Sequence, residues 1–344
     1  MVTRPTGDRR EPAAGAALRH LIMGFRSTQL IHVAAKLGLA DRLKEGPQTA
    51  QALAQAVGAE PRALYRVLRA LASLGIFAEN SDGGFALTPL AELLRSDGEG
   101  SLRSLAVLYG EEWLWDAYGR MLHSVLTGAP AFERTHGTAF FEYLERHSAA
   151  ATLFHDAMSG YSAQEAEAIL AAYDFSRVTN VVDVGGGHGA LLARLLRAHR
   201  GVSGVVLDLP ASAAGARRLL AEAGVAERGA FVAGDFFGAI PRGRDVYLLK
   251  SVIHNWDDEA AVRILRRCRE AMAEDARLLV IERVVPADNA PAEAKLFDIN
   301  MLVVIGGRER TEEEHRALFH SAQFRLTQTI ATSSPVSLLV GMPA

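Results

Sequence analysis

The chain changes its hydrophobic rhythm once along its length. From about Ala13 to Leu43 apolar residues recur near a 3.6-residue period, Leu30, Val33, Ala34 and Leu37 among them, which predicts helix interrupted at Gly38. Thr49 reads as the N-cap of a helix over 50–57 that Gly58 stops. Glu60-Pro61 places proline at a helix start, and Leu64, Val67, Leu68 and Leu71 follow at helical spacing until Gly75. Phe77 then opens a short strand, Asp82-Gly83-Gly84 makes a turn, and 85–87 pairs back. Two short helices followed by a hairpin have the shape of a winged helix. Residues 100–165 keep helical spacing and are rich in aromatics, including Trp113, Tyr118, Phe140 and Phe154; core packing is the default reading of such residues.

From about Asn180 the rhythm shortens. Apolar runs at 181–184, 205–209, 230–233, 246–249 and 278–281 alternate with helical stretches, except for a loop before Val246. That alternation predicts a mainly parallel sheet with right-handed crossovers. The chain closes with a run at 324–331, a turn at Thr332-Ser333-Ser334-Pro335 and a second run at 336–340. This places an antiparallel hairpin on the edge of the sheet, an ending that a plain dinucleotide-binding sheet lacks.

The chemistry gathers at the strand ends, where open α/β sheets bind ligands. Asp183-Val184-Gly185-Gly186-Gly187-His188-Gly189 follows the first strand and opens a helix. Glycines there admit close backbone approach, and Gly185-x-Gly187-x-x-Ala190 also satisfies a dinucleotide fingerprint. The second strand ends at Asp208-Leu209, which suits ribose hydroxyls; the third ends at Gly234-Asp235-Phe236, an acid and an aromatic that suit adenine. After the fourth strand come Lys250-Ser251-Val252-Ile253-His254-Asn255-Trp256-Asp257-Asp258-Glu259. Asn255 is a candidate N-cap, and the acids suit a first helical turn, but capping accounts for none of Lys250, His254 and Trp256. The fifth strand ends at Glu282. In Gly306-Gly307-Arg308-Glu309-Arg310-Thr311-Glu312-Glu313-Glu314, Thr311 and Glu314 form a capping box, which leaves Glu309 unexplained.

Taken in order and spacing, 183–189, Asp208, 234–236, 250–259 and 306–311 resemble the plant caffeate-type and bacterial natural-product O-methyltransferases, over roughly Ala13 to the end. The resemblance implies an α/β fold: a Rossmann-like methyltransferase sheet with an N-terminal helical, winged-helix-like dimerisation domain. It divides the chain into a tail (1–12), that domain (13–105), a helical linker contributing to the substrate pocket (106–165) and an S-adenosylmethionine-binding catalytic domain (166–344). It implies that His254 is the general base, flanked by Glu282 and Glu309. It sets Gly185 against the methionine part of the cofactor, Asp208 at the ribose, Asp235 and Phe236 at adenine, and Lys250 against the cofactor. Asp183, Gly187, Leu209, Gly234, Ser251 and Trp256 count with that set. Phe154, Met158, Asn300 and Met301 fall where the family meets its acceptor. No metal is expected, although Asp298 and Asn300 are oxygen-bearing residues two apart. Many members carry Asp where this chain has Asn255, which puts the tuning of His254 in question.

The expected reaction is methyl transfer from S-adenosylmethionine to the hydroxyl of a small aromatic, leaving S-adenosylhomocysteine. Nitrogen methylation and a non-methylating relative remain as alternatives, with an NAD-dependent oxidoreductase and a winged-helix regulator behind them. Bulk properties narrow these. At 344 residues the chain exceeds one typical core. A net charge of -3 argues against a nucleic-acid partner and reads Arg62, Arg66 and Arg69 as a solvated face. The single cysteine, Cys268, forbids an intrachain disulfide and fits a reducing, cytoplasmic setting. No apolar run reaches membrane-spanning length, and apolar front helices suggest a homodimer.

Overall fold

The computed structural model describes residues 11–98 and 100–344. The first ten residues of the expected tail lie outside the described residues, and Glu11 already opens a helix. In chain order the first elements are α1 (Glu11–Ile22), α2 (Gly24–Lys36), α3 (Leu39–Arg42), β1 (Gln48–Thr49), α4 (Ala50–Val57), α5 (Pro61–Ser73), β2 (Phe77–Glu79), β3 (Gly84–Leu87), α6 (Pro89–Glu92) and α7 (Arg103–Gly110). The helical stretch continues as α8 (Glu112–Gly119), α9 (Met121–Thr127), α10 (Ala131–His136), α11 (Phe140–Arg146) and α12 (Ser148–Ala172). Two compact units result: one holds residues up to 115 with 152–157, the other 116–151 with 158–344.

In the first unit the Thr49 cap, the Gly58 stop and the Pro61 start are those the sequence specifies, and Glu60 adds a cap. The Thr49 side chain accepts from the Ala52 N–H, Gly58 takes a left-handed φ of 68°, and Pro61 sits in the first turn of α5 behind a Glu60 cap. Leu53, Leu64, Leu68 and Leu71 point into one core with Phe77 and Phe85. β1 is an addition to the expected hairpin: it pairs antiparallel with β3 and gives a small sheet in the order β1-β3-β2.

The second unit contains β4 (Asn180–Val184), α13 (Ala190–Ala198), β5 (Ser203–Asp208), α14 (Ala213–Glu222), β6 (Gly229–Ala233), β7 (Val246–Lys250), α15 (Asp258–Ala271), β8 (Arg277–Glu282), α16 (Glu293–Asn300), α17 (Glu312–Ser321), β9 (Phe324–Ala331) and β10 (Ser337–Pro343). The seven strands lie in the order β6-β5-β4-β7-β8-β10-β9. The first five are parallel, and β10 runs antiparallel to both β8 and β9, which is the expected terminal hairpin. Side chains alternate between two cores, as strands buried on both faces require. Tyr247, Leu249 and Val280 pack with α15 and α17 on one face; Val246, Leu248 and Leu279 pack with α12 and α13 on the other. Cys268 is a buried residue of the first of these faces, and burial pushes its thiol pKa far up, so it behaves as a small apolar group. The order of the strands reverses between β4 and β7. The loops that follow those two strands are therefore neighbours at the carboxyl edge, which is the position where such sheets bind ligands.

Packing between α2 and α7 supplies a test of the first unit. A Cβ on Gly110 would sit 2.2 Å from the His32 ring, which is buried and hydrogen-bonded through Nδ1 to the Val107 carbonyl at 2.9 Å. Gly110→Ala is expected to destabilise the protein by about 1–3 kcal/mol through overpacking. Urea unfolding checks this; a midpoint equal to wild type would show that the two helices part at no cost.

Candidate active site

The glycine loop owes its shape to backbone angles that side chains resist. Gly185, Gly187 and Gly189 have φ of 70°, 57° and 78°. A Cβ on Gly185 would meet Val252 Cγ2 at 2.9 Å and Phe236 at 3.4 Å, whereas Gly187 faces open space. Asp208 ties the loop to the next strand: its Oδ2 accepts the Gly187 N–H at 2.8 Å and its Oδ1 the Leu209 N–H at 2.8 Å. Asp183 lies underneath, buried, where a Cβ on Gly186 would strike its carboxyl group at 2.5 Å. Burial pushes its pKa up to about 7; nearby Lys250 opposes the rise and Asp208 adds to it. Asp183 thus braces the loop from below. At the end of β6, Asp235 is exposed and accepts the Phe237 N–H at 2.8 Å, and Gly234 packs tightly on Leu207. Phe236, Phe237 and Trp256 form an edge-on aromatic cluster beside them. Acids at two neighbouring strand ends, Asp208 half-buried and Asp235 exposed, a glycine cradle and an aromatic wall suit a nucleoside with a ribose diol.

β7 ends at Lys250, and the backbone turns at once. Ser251 takes a left-handed φ of 53°, uncommon for a residue with a Cβ, and a short 3₁₀ turn, Ile253–Asn255, follows. Asn255 is not the cap that the sequence suggested. The turn ends in an extended Trp256, so α15 starts later and Asp257 caps it, accepting the Ala260 N–H at 2.8 Å. Asn255 instead donates its side-chain amide to the Ser251 carbonyl at 3.2 Å, a bond an ionised Asp could not make.

The turn buries His254 between two carboxylates. Its Nδ1 lies 2.7 Å from Glu309 Oε1 and 3.4 Å from Glu282 Oε2. Glu282 Oε1 accepts the backbone N–H groups of Val252, Ile253 and His254 at 3.1, 2.9 and 3.3 Å. Burial alone would lower the imidazole pKa; the Glu282 and Glu309 charges outweigh it and the net direction is upward. Burial raises the Glu282 carboxyl. With Nδ1 committed to Glu309, Nε2 is the nitrogen left for a reacting proton, the arrangement by which a carboxylate fixes a catalytic histidine's tautomer. The three residues also offer donor atoms within 4.8 Å of one another, among the described residues a cation-sized cluster.

Segment 306–310 is laid directly on this turn. Gly306 ends a π-helical turn, Met301–Ile305, with a φ of 86°. At Gly307 a Cβ would lie 2.0 Å from the His254 carbonyl oxygen. The Arg308 N–H donates to that same oxygen at 2.8 Å, and Glu309 follows against the imidazole. Asp298 holds the Glu309 N–H at 2.7 Å and Asn300 accepts from the Tyr118 hydroxyl at 2.8 Å, so both oxygens considered for a metal have other partners.

The expected acceptor residues divide. Phe154 belongs to the first unit; Met158, Asn300 and Met301 belong to the second, where Met301 is fully buried. Sequence reasoning missed Glu165, Arg283, Phe297 and Arg310. Buried Glu165 joins Lys250 (2.6 Å) to Arg283 (3.1 Å), and the Arg283 guanidinium covers Phe297 at 4.2 Å. Phe297 in turn lies parallel to the His254 ring at 6.2 Å. Only the lone acid on an apolar face of α12 could have signalled this network.

Residues 118–325 match the O-methyltransferase domain, and residues 19–97 match the O-methyltransferase dimerisation domain. The phenazine O-methyltransferase PhzM of Lysobacter antibioticus is 42% identical, covering 95% of both chains. The phenazine-1-carboxylate N-methyltransferase of Pseudomonas aeruginosa is 35% identical, covering 96% of this chain and 98% of its own. Among solved structures, NcsB1, an O-methyltransferase from neocarzinostatin biosynthesis in complex with S-adenosyl-L-homocysteine and 1,4-dihydroxy-2-naphthoic acid, is 35% identical, with a TM-score of 0.76 and coverage of 92% and 96%. The chain belongs to the S-adenosylmethionine-dependent O-methyltransferase family.

The contact at Gly307 is open to direct test. Gly307→Ala must drive segment 306–310 away from the His254 turn and is expected to lower methyl transfer by on the order of 100-fold. Cofactor affinity, read by isothermal titration, is expected to stay within about twofold. Wild-type turnover in the variant would mean that the turn tolerates displacement.

Proposed function

We propose that this enzyme methylates a hydroxyl of a small aromatic secondary metabolite, with His254 as general base. The observation that carries the reading is the imidazole held by Glu309 through Nδ1 at 2.7 Å, which leaves Nε2 for the acceptor proton. The family's donor supplies a methyl group made electrophilic by its sulfonium. Gly185, Gly187, Asp208, Leu209, Asp235, Phe236, Lys250, Ser251 and Trp256 would hold that donor, with Asp183 and Gly234 behind them. Met158, Asn300 and Met301 would meet the acceptor.

The chain's own task is alignment and proton removal. A phenol of pKa near ~10 does not give its proton freely to an imidazole near ~6.5. Deprotonation therefore has to accompany methyl transfer, with Nε2 hydrogen-bonded to the reacting oxygen. Glu282 and Glu309 favour the imidazolium as it forms. Oxygen methylation is the reading that needs this base most, because a neutral aromatic nitrogen can attack without first losing a proton.

The test is transfer of isotopically labelled methyl from S-adenosylmethionine to a panel of hydroxylated aromatics, 1,4-dihydroxy-2-naphthoic acid among them. His254→Ala is expected to lose about 10²–10⁴-fold in turnover while cofactor affinity survives. Most activity remaining in that variant would sink the assignment. The pH profile adds a signed expectation. His254 must be neutral to act, and its pKa is raised, so kcat should fall as pH drops through a value above 6.5. Glu309→Gln removes one raising charge, so the acidic limb of its residual activity should move to lower pH.

We also propose that the enzyme is a homodimer assembled through its N-terminal unit. The match to a dimerisation domain supports it, as does an exposed apolar stripe of Leu18, Leu21, Ile22 and Phe25 on α1 and α2. Leu21→Glu combined with Phe25→Glu is expected to shift the mass measured by light scattering from two chains to one; an unchanged dimer would move the interface elsewhere.

A further inference from the structure

We infer that Arg310 is the positioning residue of the methyl-transfer site: its buried guanidinium holds the turn that carries His254 at the spacing its carboxylate partners require. The inference rests on the reading of His254 as base.

Arg310 is wholly buried at its side chain. A guanidinium carries donors in a planar fork, and burying it without partners is costly. Here the donors are spent on one target. Nη2 donates to the Trp256 carbonyl at 2.7 Å and Nη1 to the Ile253 carbonyl at 3.2 Å, the two residues that flank His254 and Asn255. Nε and Nη2 reach Asp258 Oδ1 at 3.0 and 2.8 Å, in the first turn of α15. The turn is therefore gripped from both sides. Glu282 accepts its N–H groups, Arg310 donates to its carbonyls, and the Arg308 N–H takes the carbonyl of His254 itself.

The backbone of Arg310 adds a second constraint. Its carbonyl accepts the Val285 N–H at 2.9 Å, just beyond the strand end that presents Glu282. One residue thus links the extension of β8 to the turn after β7. Those are the two segments whose separation sets the distance from His254 to Glu282, and Glu309 is the residue immediately before it. Capping explains Thr311 and Glu314 beside it but not a buried cation. A purely structural arginine would need partners, and they need not all lie within four residues of the base.

Lysine cannot reproduce the arrangement, since one ammonium cannot span two carbonyls and a carboxylate in a plane. With Arg310→Met the turn is released, and loss of alignment should cost on the order of 100-fold in kcat. The KM for S-adenosylmethionine is expected to stay near wild type. Arg310→Lys should recover only part of the loss. Asp258→Asn removes the anchor of the guanidinium without opening a cavity and should cost on the order of tenfold, so the inference remains testable if Arg310→Met fails to fold.

A readout independent of any acceptor is the NMR titration of His254 in full-length protein with labelled histidine, assigned by difference from His254→Ala. Release of the turn lengthens the contacts to Glu282 and Glu309, so in Arg310→Lys, which keeps the positive charge but not the planar fork, the titration should move down from its raised position. Folded variants that keep wild-type kcat and an unshifted His254 titration, losing only thermal stability, would overturn the positioning role. His254→Ala run alongside separates the two claims. Activity surviving in that variant removes the base itself, whereas a dead His254→Ala beside fully active Arg310 variants removes only the positioning role.

Discussion

Where Gly307 passes the His254 carbonyl there is no room for a Cβ, and the rest of the site is arranged around that contact. It lets the backbone of 306–310 reach a turn belonging to a different crossover of the sheet. Once there, successive residues find different parts of the turn: an N–H for the His254 carbonyl, a carboxylate for the imidazole, a guanidinium for the outer carbonyls. A run that reads in sequence as a capping box with spare charges is, in three dimensions, a clamp. The capping box is present as well, with Thr311 and Glu314 satisfying each other at the start of α17. Capping fixes where the helix begins, and so fixes the direction in which the preceding residues run.

The sheet supplies the other half of the geometry. Four strand ends, those of β4 to β7, carry the glycine loop, Asp208, Asp235 and Lys250 to one edge. Parallel register makes this automatic: once the strands pair, every loop after a strand emerges at the same rim. Stability and function are separated within each strand. Tyr247 and Leu249 are committed to one core and Leu248 to the other, and chemistry begins only where the strand stops.

This separation explains what was legible in the sequence. The central strands β7 and β8, buried on both faces, read as near-continuous apolar runs, whereas the edge strand β9 mixes apolar with polar residues and was placed by the turn at 332–335; the caps at Thr49 and Thr311 were visible as well. The candidate site was legible wherever a residue had no structural task that the sequence could assign it, as with His254 and Glu309. It failed in two kinds of place. Asn255 follows a local rule, capping, that was overridden because Ser251 turns left-handed and Trp256 stays extended, which moves the start of α15 to Asp258. Arg310 and Glu165 take their meaning from partners far along the chain, and no local pattern reports them.

The charge balance around the imidazole follows from the same arrangement. Two carboxylates and one neutral imidazole, all buried, would leave two negative charges in a poorly solvating place. Glu282 is relieved by three backbone N–H groups, which contribute dipoles but no charge. Glu309 has only the imidazole, and its Oε2 has no hydrogen-bond partner among the described residues. The surroundings are therefore better matched to the imidazolium than to the neutral ring. As the proposed base, an imidazole so placed gains proton affinity and loses population: less of it is neutral near pH 7, and what is neutral is a stronger acceptor. For a weakly acidic hydroxyl that exchange is favourable, because the deficit in proton affinity is the larger obstacle. Asn255 fits the same logic from outside. It leaves tuning to Glu282 and Glu309 and serves the shape of the turn, through an amide bond to the Ser251 carbonyl that an ionised carboxylate could not make.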